Sequence, residues 1–146
     1  MRVGDTRLTT VLKVKQHQEN TAQRELKDIQ AKKAKETDAL TTLETTQKAA
    51  YVQASEPVRV RATDAQVDRA FIQRLSREIK TQQDRVDTIH HEEDSKREEL
   101  VVRSQSKKMV EKLDDKRKQE ALKEVERKEQ KVLDVLASRI KTGGDR

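Results

Sequence analysis

The residues best suited to chemistry in this chain are His90-His91-Glu92-Glu93-Asp94, a run of imidazoles and carboxylates of the kind that ligates metals. Their spacing argues against a metal site. Neighbours on a helix point about 100° apart, so only His90 with Asp94, or His91 with Asp87, share a face. A structural site normally needs about four ligands. The run therefore reads as a solvated helix face. Ser95, Ser104, Ser106 and Ser138 have no pocket that would exclude water from a nucleophile. Only three glycines are present, and Gly143-Gly144 is terminal, so no phosphate-cradling loop is formed. There is no cysteine, hence no disulfide and no thiolate chemistry. No catalytic, cofactor-binding or metal-binding residue is expected, and the chain does not read as an enzyme.

The elements that carry these residues explain why. Of the 146 residues, 41% are charged and 32% apolar, with one Phe, one Tyr and no Trp. A globular core of this size needs more large apolar residues, which leaves coiled coil or disorder. Periodicity decides for the coiled coil. Stepping by fours and threes from Leu8 gives Leu8, Leu12, Lys15, Glu19, Ala22, Leu26, Ile29, Lys33, Glu36, Leu40, Leu43, Gln47 and Ala50, and eight of these thirteen are apolar. A first helix is expected over about 5–54, capped by Asp5.

The single proline, Pro57, stops that helix. A connection is expected over about 55–63, with Val58 to Arg61 extended. Thr63-Asp64-Ala65-Gln66 then fits a capping box, which predicts a second helix over about 64–140 and a frayed tail over 141–146. The second seam reads Phe71, Leu75, Ile79, Gln82, Val86, Ile89, Glu93, Lys96, Leu100 and Arg103. Val110, Leu113, Ala121, Val125, Val132, Leu136 and Ile140 continue it after a drift in phase.

Acid-first pairs at i,i+4 support both helices: Asp28–Lys32, Glu44–Lys48, Glu92–Lys96, Glu93–Arg97, Glu99–Arg103, Asp114–Lys118 and Glu124–Lys128. The fold class is therefore all-α, a single domain forming a long antiparallel two-stranded coiled-coil hairpin whose second helix is the longer. Residue 5 would pair near residue 115, and beyond that point the apolar stripe of helix 2 has nothing intramolecular to pack on. An unpaired stripe is a binding face.

Charge excludes some partners. The formal net charge is +6, but 33 basic residues face 27 acidic ones and the signs are finely mixed. A nucleic-acid surface needs a one-sided basic stripe, so none is expected. The run Lys107-Lys108 to Arg117-Lys118 is interleaved with Glu111, Asp114 and Asp115, and reads as a salt-bridged solvent face or as a face docking into an acidic ring lumen. No apolar run spans a membrane and no signal peptide is visible. Tyr51 and Phe71, the only aromatics, flank the connection; they form either a local staple or an exposed hot spot.

Several strings resemble a known family. Lys107-Lys108-Met109-Val110-Glu111-Lys112-Leu113, Arg117, Glu126-Arg127-Lys128-Glu129-Gln130-Lys131-Val132-Leu133-Asp134, Ala137 and Arg139 are similar to the C-terminal part of the FliJ family of flagellar export proteins, related to YscO-type injectisome stalks. Leu8, Val11, Leu12, Lys15, Glu19, Ala22 and Leu26 fit the family's opening, while Val135 departs from the Glu common after that Asp.

The resemblance implies a central stalk that binds a hexameric export ATPase, promotes its assembly, couples it to the export-gate membrane protein and captures export chaperones. It implies a monomer when alone, cytoplasmic and peripheral at the cytoplasmic face of the inner membrane. By position it implies gate contacts at Leu43, Tyr51, Phe71 and Leu75, and ATPase contacts at Leu8, Leu12, Val125, Val132 and Leu136. Glu78 and Gln82 stand where the family favours a small residue and a histidine. The alternative is a self-associating coiled-coil adaptor unrelated to export.

Overall fold

The computed structural model describes residues 3–56 and 61–143, with side chains from residue 7 onward. Two helices account for nearly all of it: α1 (Val3–Ser55, 53 residues) and α2 (Ala62–Gly143, 82 residues). They form the all-α antiparallel hairpin, with the second helix longer. Contacts divide the chain into two units, residues 20–102 and residues 1–19 with 103–146.

In residues 20–102 the antiparallel direction is written in the cross-helix bonds. Their sequence separation falls steadily towards the connection: 71 for Lys96–Glu25, 63 for Gln30–Glu93, 57 for Lys33–His90, 46 for Gln82–Glu36 and 29 for Gln47–Ser76. In the other unit Lys107 Nζ bonds Glu19 Oε2 across the helices at 2.8 Å.

The seam of α1 is the one the 4-3 stepping selects. All thirteen positions from Leu8 to Ala50 are withdrawn from full exposure, and Ala22 is buried. On α2 the withdrawn positions follow the same alternation from Ala65 through Asp68, Ile72, Leu75, Ile79, Gln82, Val86, Ile89, Glu93, Lys96, Leu100, Arg103, Lys107 and Val110 to Asp114. This corrects two expectations. Ile72, not Phe71, occupies the seam, because the step into Leu75 must be three when the step out to Ile79 is four. The phase does not drift between Arg103 and Val110; the stepping holds to Asp114, and Leu113 is exposed beside it.

The helix ends also differ. α1 begins at Val3, so Asp5 lies inside its first turn rather than capping it. At the start of α2, the Arg61 carbonyl accepts from the amides of Asp64 (2.9 Å) and Ala65 (3.1 Å), which makes Arg61 the cap and puts Thr63 within the helix. α2 continues through Lys141 and Thr142 to Gly143. Pro57 and Val58 to Val60 lie outside the described residues. α1 ends before them at Ser55, whose hydroxyl donates to the Val52 carbonyl at 2.9 Å.

No described side chain is fully enclosed, as a two-stranded seam dictates. Burial is strongest at Ala22, Leu75, Ile79 and Ile89, and polar Gln82, Glu93 and Asp114 are buried with them.

Candidate interaction faces

Heptad geometry buries a polar side chain wherever the sequence places one on the seam, and the partner helix must then satisfy it. Glu93, 3% exposed, accepts from Lys33 Nζ at 2.7 Å, Arg97 Nη2 at 2.6 Å and Gln30 Nε2 at 3.5 Å. The hydrogen bond from Lys33, helped by the charges of Arg97 and Lys33, holds its carboxyl below the usual glutamate range against the opposing effect of burial. Gln82 donates to the Glu36 carbonyl at 2.9 Å and to Glu36 Oε2 at 2.5 Å. Lys96 bridges Glu25 (2.8 Å) and Glu99 (3.2 Å), which raises its pKa. Glu19, hydrogen-bonded by Lys107, is likewise lowered, and Lys107 is raised. Glu93–Arg97, Asp114–Lys118 and Glu124–Lys128 form as their spacing requires, at 2.6, 2.6 and 3.9 Å.

The His90 cluster serves this network. Lys33 Nζ stands 3.0 Å from His90 Nδ1, and because an ammonium only donates, that nitrogen accepts. His90 Nε2 lies 3.6 Å from Asp94 Oδ2, the pair that shares a face. Among the described residues no three His, Cys, Asp or Glu side chains converge on a metal position.

Of the nine candidate contact residues, four lie on the seam. Leu75 is buried, and Leu8, Leu12 and Leu43 are half-buried. Five face solvent. Near the connection, Tyr51 is 54% and Phe71 36% exposed, and the Arg74 guanidinium sits 5.3 Å from the Phe71 ring centroid, a cation–π contact. Val52 and Val67 are exposed on the same stretches of chain, which sequence reading missed because neither falls on a seam or in a family motif.

The other three candidates, Val125, Val132 and Leu136, sit on the second face. Every residue from 115 to 143 is exposed, in contrast to the periodic burial that ends at Asp114. Leu122, Leu133, Val135 and Ile140 are exposed with them. The apolar residues of this segment are thus left in solvent.

The profile of the family described as Flagellar FliJ protein matches residues 4–142, nearly the whole chain. The chain belongs to the FliJ family. It is thus a component of the flagellar or type III export apparatus. Comparison with curated proteins and with solved structures returned no match. No described helix is long and apolar enough to cross a membrane.

Proposed function

We propose that this FliJ-family protein is the non-catalytic central stalk of its export machine, docking on the hexameric export ATPase, promoting its assembly and coupling it to the export-gate membrane protein. The observation that carries the reading is the bare extension over residues 115–143. Its apolar residues are withheld from the hairpin's own seam and stand free for another protein. Val125, Val132 and Leu136 make the ATPase contact, while Leu8 and Leu12, committed to the seam, hold α1 against the base of that extension. Tyr51 and Phe71 touch the gate, and Leu43 and Leu75 fix the helices beneath them. The same exposed faces receive export chaperones. The stalk is a monomer in its docking form, cytoplasmic and peripheral at the inner membrane.

Sedimentation of the export ATPase with nucleotide, with and without this chain, tests the proposal while turnover is recorded. The expected result is a shift to hexamers with faster ATP hydrolysis. It is lost in Val132→Asp/Leu136→Asp, whose circular dichroism stays helical. Unchanged ATPase affinity in that variant removes the assignment of the extension. Absence of any association in the wild-type protein removes the stalk reading and leaves the self-associating adaptor.

A further inference from the structure

The bonds across the two helices in residues 20–102 join residues whose numbers total between 118, for Glu36–Gln82, and 126, for Lys33–Glu93. Glu25–Lys96, Gln30–Glu93, Lys33–His90 and Gln47–Ser76 fall between. Seam residues that total 122 therefore stand level, in layers running from Ala22–Leu100 to Ala50–Ile72. Apolar packing alone would not choose these layers. Leu26 faces Lys96, Ile29 faces Glu93, Lys33 faces Ile89, Glu36 faces Val86 and Leu40 faces Gln82. Leu43–Ile79 is the one layer with a large apolar side chain on both helices.

Heptads repeat, so a slip of seven residues returns every seam position to the seam. Moved by one heptad towards the connection, α1 sets Leu26 on Ile89, Ile29 on Val86, Leu40 on Leu75 and Leu43 on Ile72. Each of those layers joins two large apolar side chains. The opposite slip is barred, because it sets Lys33 on Lys96 and Glu36 on Glu93. The chain between the helices permits the first slip. α1 stops at Ser55 and α2 starts at Ala62. Those two ends are offset along the axis by about 7 Å in this register and by about 3 Å after the slip, within reach of the residues that join them.

Polar bonds hold the present register. Glu93, withdrawn onto the seam, accepts from Lys33 at 2.7 Å and from Gln30 at 3.5 Å across the helices. After the slip it stands level with Ala22 and keeps only Arg97 of its three donors. We propose that α1 and α2 form a two-register hairpin, in which the Glu93 bonds hold α1 one heptad, about 10 Å, short of the register its apolar layers favour. Tyr51 and Phe71 mark the difference. They are exposed and level in this register, and about 10 Å apart along the axis in the other. A partner that grips both rings at once selects the present register.

The chain has no cysteine, so engineered pairs read the register directly. In the full chain, Leu43→Cys/Ile79→Cys reports the present register, Leu43→Cys/Ile72→Cys the slipped one and Leu43→Cys/Val86→Cys the barred one, since a disulfide needs Cα atoms within about 7 Å. Each pair is oxidised with and without Glu93→Ala, at a dilution that keeps links within one chain. Glu93→Ala is expected to speed the link at position 72 at least about tenfold, while the link at position 86 stays within about twofold. Helical circular dichroism checks that folding is intact. A link at position 72 that is no faster with Glu93→Ala means one register and overturns the proposal. An equal rise at positions 72 and 86 means general opening of the hairpin and overturns it too. Neither result bears on the stalk reading, because no partner takes part.

Discussion

Leu75 and Val132 are both apolar helix residues of α2, yet their truncation to alanine should have very different costs. Leu75 is 4% exposed on the seam, whereas Val132 is 59% exposed on the extension. Leu75→Ala removes three buried carbons, about 2.4 kcal/mol at ~0.8 kcal/mol per carbon. The cavity contribution is small because no described side chain is fully enclosed, which keeps the total near the low end of the ~2–5 kcal/mol seen for Leu→Ala in cores. Val132→Ala removes two carbons that are mostly hydrated already. The loss of at most about 0.7 kcal/mol is offset by the better helix propensity of alanine, so the net change is near zero. Urea unfolding followed at 222 nm resolves the difference. For an m value of about 2 kcal/mol/M, Leu75→Ala lowers the midpoint by about 1 M and Val132→Ala leaves it in place. Equal shifts would refute the division between seam and extension, because they would mean that Val132 packs within the chain.

Three further outcomes are expected. Ile72→Asp should destabilise the hairpin more than Phe71→Asp, since a carboxylate at position 72 is withdrawn onto the seam whereas one at position 71 reaches water; the reverse order in thermal melts would restore Phe71 to the seam. Glu93 and Glu19 both titrate below the ordinary glutamate value, so their stabilisation is complete above about pH 4.5 and drains away as pH falls through the lowered values. A melting temperature that is flat down to pH 5 and then drops, with a shallower drop in Glu93→Gln, is the expected profile. A fall between pH 7 and 5 would point to other groups. Amide exchange across 115–143 should be much faster than at Ala22 or Leu75 to Ile89, because opening the extension exposes no buried apolar surface. Comparable protection in the isolated chain would contradict this.

The seam of α1 was readable in full because a two-stranded coil enforces a 3.5-residue repeat on every residue that faces the partner, polar or not. Lys15, Glu19, Lys33 and Glu36 were placed by arithmetic alone. α2 was misread where hydrophobicity was allowed to overrule that arithmetic, since Phe71 outweighs Ile72 in apolar character but breaks the alternation. Lys107 and Asp114 on the seam were missed for the same reason, as they carry no apolar signal. The division of the nine contact candidates into four seam residues and five exposed ones was out of reach. A family pattern marks positions by similarity, whereas exposure depends on where α1 stops covering α2. Val52 and Val67 escaped notice because an exposed valine on a charged helix looks unremarkable until the neighbouring rings are seen to be exposed too.

The Glu93 knot also determines which helices this protein will refuse. Heptad-bearing chains are abundant in any cell, and an apolar seam of ordinary quality would accept many of them. Glu93 draws three donors from two helices, and only Arg97 travels with it on its own strand. A stranger displacing α1 removes Lys33 and Gln30 and leaves the Glu93 carboxylate on the seam with Arg97 as the one donor that remains of the three. The extension, exposed at every residue from 115 to 143, buries no charged group that a newcomer would have to satisfy and imposes no such toll. One polypeptide thus keeps a closed stretch that rejects foreign helices beside an open one that admits a partner.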